Sequence, residues 1–289
     1  MLDRLRSEGV AGWRAMERKL SHSSFDYVLV ETDRSGSSSR ERSKQVTGQF
    51  AGKTFLFTET VIPTEEVSVY GRNDRYEFAL SRSGESPWTV SWQSSRRDDD
   101  TPVGSAFAYL GGMLQLPWSI SATPLAKLVN DPRFSIRQVK PRDQGAVQID
   151  FKVAPSRGRL DDLQGVSSGF VVLDPTRQWA VTQYRAQYGN KISSSVQLAY
   201  GSAGPPELSQ VQFELLTKSG NSSRFVIDIQ KYDWTPARNP DFTLSAFGLP
   251  DYQATVGRRR WLVLVNVGII LLLTGVVFWR RRQAILDRT

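Results

Sequence analysis

The chain holds one histidine and no cysteine, and that inventory removes much of catalytic chemistry before any fold is considered. His22, in Ser21-His22-Ser23-Ser24, is the imidazole through which any serine–histidine triad would have to run. Its place at the end of the first predicted helix suits capping or a surface position better. Multi-histidine metal sites, cysteine-ligated zinc or iron–sulfur centres and disulfides are excluded. No Gly-x-x-x-x-Gly-Lys phosphate loop and no Gly-x-Gly-x-x-Gly dinucleotide turn occurs. Carboxylates remain. Glu65-Glu66 and Asp161-Asp162 are adjacent, but glycoside chemistry needs two carboxyls facing each other across a cleft, and adjacency in an exposed segment is ordinarily only charge. Arg96-Arg97-Asp98-Asp99-Asp100 reads as a solvated loop, because a calcium site needs more oxygen ligands at defined spacing. No catalytic, cofactor or metal residue is assigned, and no cofactor is expected.

The elements that would position any site are mostly strands. Val147, Ile149, Phe151 and Val153 alternate with Gln148, Asp150 and Lys152, the period-two pattern of a half-buried strand. The pattern returns at Phe25, Tyr27, Leu29; Tyr76, Phe78, Leu80; Trp88, Val90, Trp92; Val196, Leu198, Tyr200; Val211, Phe213, Leu215; and Phe225, Ile227, Ile229. Turn-forming clusters such as 34–39, 201–206 and 219–223 separate these runs, and such short spacings favour an antiparallel meander. Clean alternation puts one face on a core and leaves one polar.

Helices interrupt the pattern. Leu2, Leu5, Trp13, Met16 and Leu20 fall near one helical face. At 121–132, Thr123 is placed to cap a short helix with Pro124 at its first position and Pro132 to stop it. Gly104 to Gly112 is small and apolar, a loop or helix lying on the sheet.

The formal charge is +8. Six arginines sit in the triplets Arg258-Arg259-Arg260 and Arg280-Arg281-Arg282, and without them the rest is near neutral. Lysines and arginines elsewhere alternate with acids rather than forming a basic stripe, so nucleic acid is not an expected partner. Between the triplets, Trp261 to Trp279 carries no charge; as a helix at about 1.5 Å per residue it spans about 28 Å, the thickness of a bilayer's hydrocarbon core. Trp261 and Trp279 place an aromatic ring at each headgroup layer, with the arginines outside them. The expected partner is therefore the lipid bilayer. Residues 1–240 are expected to form the β-rich domain, 241–257 a juxtamembrane segment, 258–282 the anchor with its flanks and 283–289 a short tail. The 241–257 segment has two readings, a tether or a strip packing Phe242, Leu244 and Phe247 back on the sheet.

Orientation is in tension. The first twenty residues carry charges throughout and do not read as a signal peptide, which implies a cytoplasmic domain with a tail anchor. That topology would carry Arg280-Arg281-Arg282 across the membrane, against the positive-inside tendency. A leader upstream of Met1 resolves the conflict, placing the domain outside the cytoplasm and the C-terminus inside.

Two stretches carry a resemblance. Gly169-Phe-Val-Val-Leu-Asp-Pro-Thr-Arg-Gln-Trp179, leading into Ala-Val-Thr-Gln-Tyr184, resembles the strand, turn and strand of extracytoplasmic lipoprotein carriers of the Lol type. Asp241-Phe-Thr-Leu-Ser-Ala-Phe-Gly-Leu-Pro250, followed by the anchor, is similar to the closing segment of uncharacterised membrane-anchored proteins of planctomycete-type bacteria. The first resemblance implies a curved antiparallel sheet wrapping one or two helices, with acyl chains on its concave face. Carriers of that type are soluble and shuttle, whereas this chain is expected to be fixed to a membrane. The fold expected is mostly β (α+β), a curved antiparallel sheet with one or two packing helices and one C-terminal transmembrane helix. The function expected is a non-enzymatic binding or scaffold domain for lipid or lipoprotein acyl chains. An envelope protein–protein interaction module and a carboxylate-based hydrolase are the alternatives.

Overall fold

The computed structural model describes residues 1–95, 100–155, 165–189, 192–202, 207–234 and 242–252. Among these, a 13-stranded antiparallel sheet dominates. One arm is the meander β1 (Ser24–Ser35), β2 (Ser38–Ala51), β3 (Thr54–Ile62), β4 (Glu66–Arg72), β5 (Glu77–Ser83) and β6 (Thr89–Ser94). The other is β9 (Phe134–Pro141), β10 (Val147–Val153), β11 (Val166–Asp174), β12 (Ala180–Tyr188), β13 (Ile192–Tyr200), β14 (Leu208–Leu216) and β15 (Ser222–Asp233). The arms join where β1 pairs with β15, Leu29 opposite Ile227, so β6 and β9 form the two edges. Twist makes open sheets of more than about ten strands curl, and this one curves around a helical layer.

That layer is dictated by connectivity. β6 lies at one edge and β9 at the other, so the chain between them must cross the sheet. It does so as α3 (Pro102–Ala106), a π-helical turn (Phe107–Gly111), a 3-10 segment (Gly112–Trp118), the small hairpin β7 (Ser119–Ile120) and β8 (Thr123–Pro124), and α4 (Leu125–Asn130). α3 contacts β4 and β5, the 3-10 segment contacts β12, and α4 contacts β9. The N-terminal helix, α1 (Leu2–Arg4), a π-helical turn (Leu5–Gly9) and α2 (Val10–Leu20), completes the layer. Leu5, Trp13, Met16 and Leu20 are buried as their spacing predicts.

The β11–β12 turn fixes that helix. Asp174 accepts from Thr176 N at 2.9 Å, and Gln178 and Trp179 both take left-handed conformations, φ 58° and 61°. The Trp179 carbonyl thereby accepts the Trp13 indole N–H at 2.7 Å. Gly12 permits the approach, since a Cβ there would sit 2.4 Å from the Gln178 carbonyl oxygen.

The predicted alternations at β1, β10, β13, β14 and β15 fall on strands, with Phe25, Tyr27, Leu29, Ile149, Phe151, Val196, Leu198, Val211 and Ile227 in the core. Two local expectations change. Trp88, Val90 and Trp92 do not share one face: the β5–β6 register shifts between Ala79 and Leu80, so Trp92 packs on the main core, Trp88 stacks edge-on against Phe247, and Val90 is 39% exposed. Thr123 does not cap α4. It is a buried strand residue, and Pro124 occupies the cap position without a side-chain hydrogen bond.

The sheet's other face carries a smaller apolar cluster at β4 and β5. Gly71 pairs with Phe78 and Val69 with Leu80, and the 3-10 turn Leu244–Phe247 covers them. Tyr76 Oη accepts from Leu244 N at 3.0 Å and Asn73 Nδ2 donates to the Phe242 carbonyl at 2.9 Å. Of the two readings of 241–257, Phe242, Leu244 and Phe247 are thus packed on the sheet, within a compact unit that ends at Leu249.

Candidate functional site: the covered concave face

On the concave face, β1, β2 and β3 present Phe25, Phe50, Phe55 and Phe57, neighbouring rings 5.2–5.9 Å apart. Strand alternation places them on one face, and Gly48, paired with Phe25 on one side and Phe57 on the other, gives the rings room, since a Cβ on it would meet the Phe25 ring at 2.1 Å. Into this layer the cover inserts Phe107, 4.9 Å from Phe55, 6.2 Å from Phe50 and 6.4 Å from Phe57. The cover's backbone can lie this close because Gly104, Ser105, Ala106 and Gly111 are small; a Cβ on Gly111 would touch Phe57 at 3.2 Å.

Polar contacts hold the cover at defined points. Thr101 caps α3, its Oγ1 accepting from Gly104 N at 2.9 Å while donating to Glu77 Oε2 at 3.1 Å. Glu77 is fully buried, 0% exposed, and is neutralised by Arg72 at 2.5 Å. The Arg72 guanidinium in turn lies over the Phe55 ring, 5.2 Å from its centroid, within the range of a cation–π pair. Next along the cover, Tyr27 Oη donates to the Leu110 carbonyl at 3.1 Å. Tyr109 Oη reaches Glu31 at 3.4 Å beside the Lys44–Glu59 ion pair of 2.8 Å. Burial first, then the neighbouring Glu31 and Glu59 charges, holds the Tyr109 phenol above its ordinary pKa. At the far end Ser121, in a left-handed conformation (φ 53°), joins the hydroxyls of Tyr184, Tyr188 and Ser194. Burial raises the Tyr184 pKa, and the mutual hydrogen bonds of this cluster pin the β7–β8 hairpin to β12 and β13.

The residues singled out by sequence are not brought together here. His22 is exposed at the end of α2, its Nδ1 3.0 Å from Ser21 Oγ. Glu65 and Glu66 are exposed at the β3–β4 turn, Glu65 with φ 55°. Asp161, Asp162, Asp98 and Asp99 lie outside the described residues, as do Arg258, Arg259, Arg260, Trp261, Trp279, Arg280, Arg281 and Arg282. No helix among the described residues is long and apolar enough to cross a membrane. Sequence reasoning missed Arg72, Glu77 and Thr101. The signal for Thr101 was present: Thr-Pro occurs at 101–102, 123–124 and 235–236, and among the described residues the cap forms at the first and not at the second.

No protein family matches the chain, and no curated protein does. Among solved structures, a DUF1329 family protein from Desulfovibrio piger is similar at TM-score 0.44 and 11% identity, covering 83% of this chain and 97% of that one. A putative outer membrane lipoprotein-sorting protein domain from Vibrio parahaemolyticus is similar at TM-score 0.46 and 11% identity, covering 84% and 100%. A LolA superfamily protein from Nitrosomonas europaea is similar at TM-score 0.42 and 12% identity, covering 80% and 96%. Likeness at this level says nothing of what this chain binds.

Proposed function

We propose that the chain is a non-catalytic binding module, tethered to a bilayer by residues 261–279, that takes an acyl chain between the concave face and the Pro102–Gly111 cover. The observation that carries this reading is Phe107 seated among Phe50, Phe55 and Phe57. One cover side chain occupies an aromatic site built by the sheet, and an acyl chain is the chemistry that would replace it. Apolar sites with few polar groups at their rim are the usual form of such pockets. Displacing the cover leaves the sheet's hydrogen-bond ladder intact, because no cover residue belongs to it. The tether rests on the length and composition of 261–279 and on its flanking arginines. On this reading the domain lies outside the cytoplasm, supported by the positive-inside tendency that keeps Arg280-Arg281-Arg282 on the cytoplasmic side.

The test is photocrosslinking of the full chain in lipid nanodiscs with a diazirine fatty acid, followed by peptide mapping. Adducts within 50–57 and 102–111 are expected. Adducts confined to 261–279 would overturn the acyl site while still establishing contact between that segment and lipid. Protease digestion of intact and permeabilised cells reads the orientation independently.

A further inference from the structure

The opposite face of the same sheet, where β12, β13, β14, β15, β1 and β2 run side by side, carries a half-open hollow of about 750 Å³. Pairing register aligns one row of side chains across it: Arg185, Ser195, Glu214, Arg224, Thr32 and Glu41. A second row, Gln183, Gln197 and Gln212, runs beside the first. Neighbouring strands are about 4.8 Å apart, so each row is a ladder of polar groups at that interval. Phe170, opposite Arg185, adds an aromatic ring at one end of the hollow, beyond which the row continues to Asp150.

The chemistry of the ladder alternates. Arginine only donates, glutamate only accepts, and glutamine, serine and threonine do both. Arg185 and Arg34 make no ion pair within the described residues, and Arg224 reaches only Gln212, at 3.5 Å. Glu41 and Glu214 make none either. A polyanion would gain Arg34, Arg185 and Arg224 but meet both glutamates, and a polycation would face the reverse conflict. An acyl chain would strip water from every one of these groups without replacing its hydrogen bonds. A ligand covered in hydroxyls, each able to donate and accept, meets all of them.

We infer that this hollow binds a neutral oligosaccharide laid across the strands, with one sugar ring against Phe170. The site lies on the face opposite the proposed acyl site and does not depend on it.

The experiment is calorimetric titration of the full chain in nanodiscs with cellohexaose and chitohexaose, beside heparin and spermine. Wild type is expected to bind at least one neutral hexaose. Gln197→Ala/Gln212→Ala, and separately Glu214→Ala, are expected to weaken that binding at least tenfold with thermal midpoints little changed, since Gln197 and Glu214 are exposed and Gln212 is half-buried with hydrogen bonds to the surface side chains of Gln210 and Arg224. Failure of both hexaoses at millimolar concentration, binding equal in the variants, or binding of heparin alone would each overturn the inference.

Discussion

Replacing Thr101 by alanine removes one hydroxyl that does two things. It accepts from Gly104 N at the start of α3, and it donates to the buried Glu77 carboxylate. An N-cap is worth about 1 kcal/mol, and a hydrogen bond to a charged group about 1.5–3 kcal/mol. Both act through one oxygen and are not additive, so about 2 kcal/mol is the working figure for the cover's attachment, or roughly 30-fold in its opening equilibrium. Glu77 keeps Arg72, so the sheet itself is expected to hold. Hydrogen exchange resolves the two: amides of 102–111 should exchange roughly 30-fold faster in Thr101→Ala while those of β1–β3 keep their protection. Thr101→Ser, which restores the hydroxyl, should recover most of the difference. If the cover must open for an acyl chain to enter, apparent affinity for a fatty acid rises by the same factor until the open form dominates. Unchanged exchange in 102–111, or equal loss across the whole sheet, would refute the idea that the cover is separately attached. Faster exchange with unchanged fatty-acid affinity would leave the latch and remove its link to binding.

Two further outcomes follow from the packing. Gly12→Ala drives a methyl against the Gln178 carbonyl at 2.4 Å, and such overpacking typically costs about 1–3 kcal/mol; a lower urea midpoint with unchanged m-value is expected, and a midpoint equal to wild type would mean that the helix and the β11–β12 turn are not in contact. Burial is the largest cause raising the Tyr27 and Tyr184 phenols. Their folded pKa values lie above the unfolded value near 10, so their contribution is complete below pH 10 and is lost as pH rises past it, by up to about 1.4 kcal/mol per pH unit for each. Absorbance at 295 nm should show a late tyrosine step coinciding with loss of near-ultraviolet dichroism; smooth ionisation of every tyrosine near pH 10 in a folded protein would contradict their burial.

How much of this was legible in the sequence follows the range of the forces involved. Strand alternation is local, and the stripes at Phe25, Val147, Val196, Val211 and Phe225 each identify their strand because two neighbouring residues suffice to define a face. The Trp88 stripe fails where a bulge in the β5–β6 pairing shifts the register, and nothing within 88–92 records what the opposite strand does. Capping is nearly local, but Thr-Pro occurs three times and does not by itself say which threonine caps a helix. At Thr101 the cap coincides with a contact to Glu77, a residue of another strand, whose buried carboxylate accepts from the same hydroxyl. The latch of Arg72, Glu77 and Thr101 was invisible for the same reason: each residue alone is an ordinary polar side chain, and its role exists only once β4, β5 and α3 meet.

The cover itself, by contrast, follows from topology once the strand order is known. A single chain that lays one meander outward from β1 to β6, and closes the sheet by pairing β15 with β1, must begin its second meander at the far edge. The intervening segment then has to cross a face, and the apolar face is the one that gains from being crossed. Its composition answers that demand, with small residues where it lies nearest the phenylalanines and Leu110, Leu114, Leu116 and Trp118 buried further along. A crossing segment of this kind contributes no strand to the ladder. It can therefore be lifted at the cost of its own side-chain contacts and a few hydrogen bonds, which is the physical reason for proposing a ligand beneath it rather than between strands.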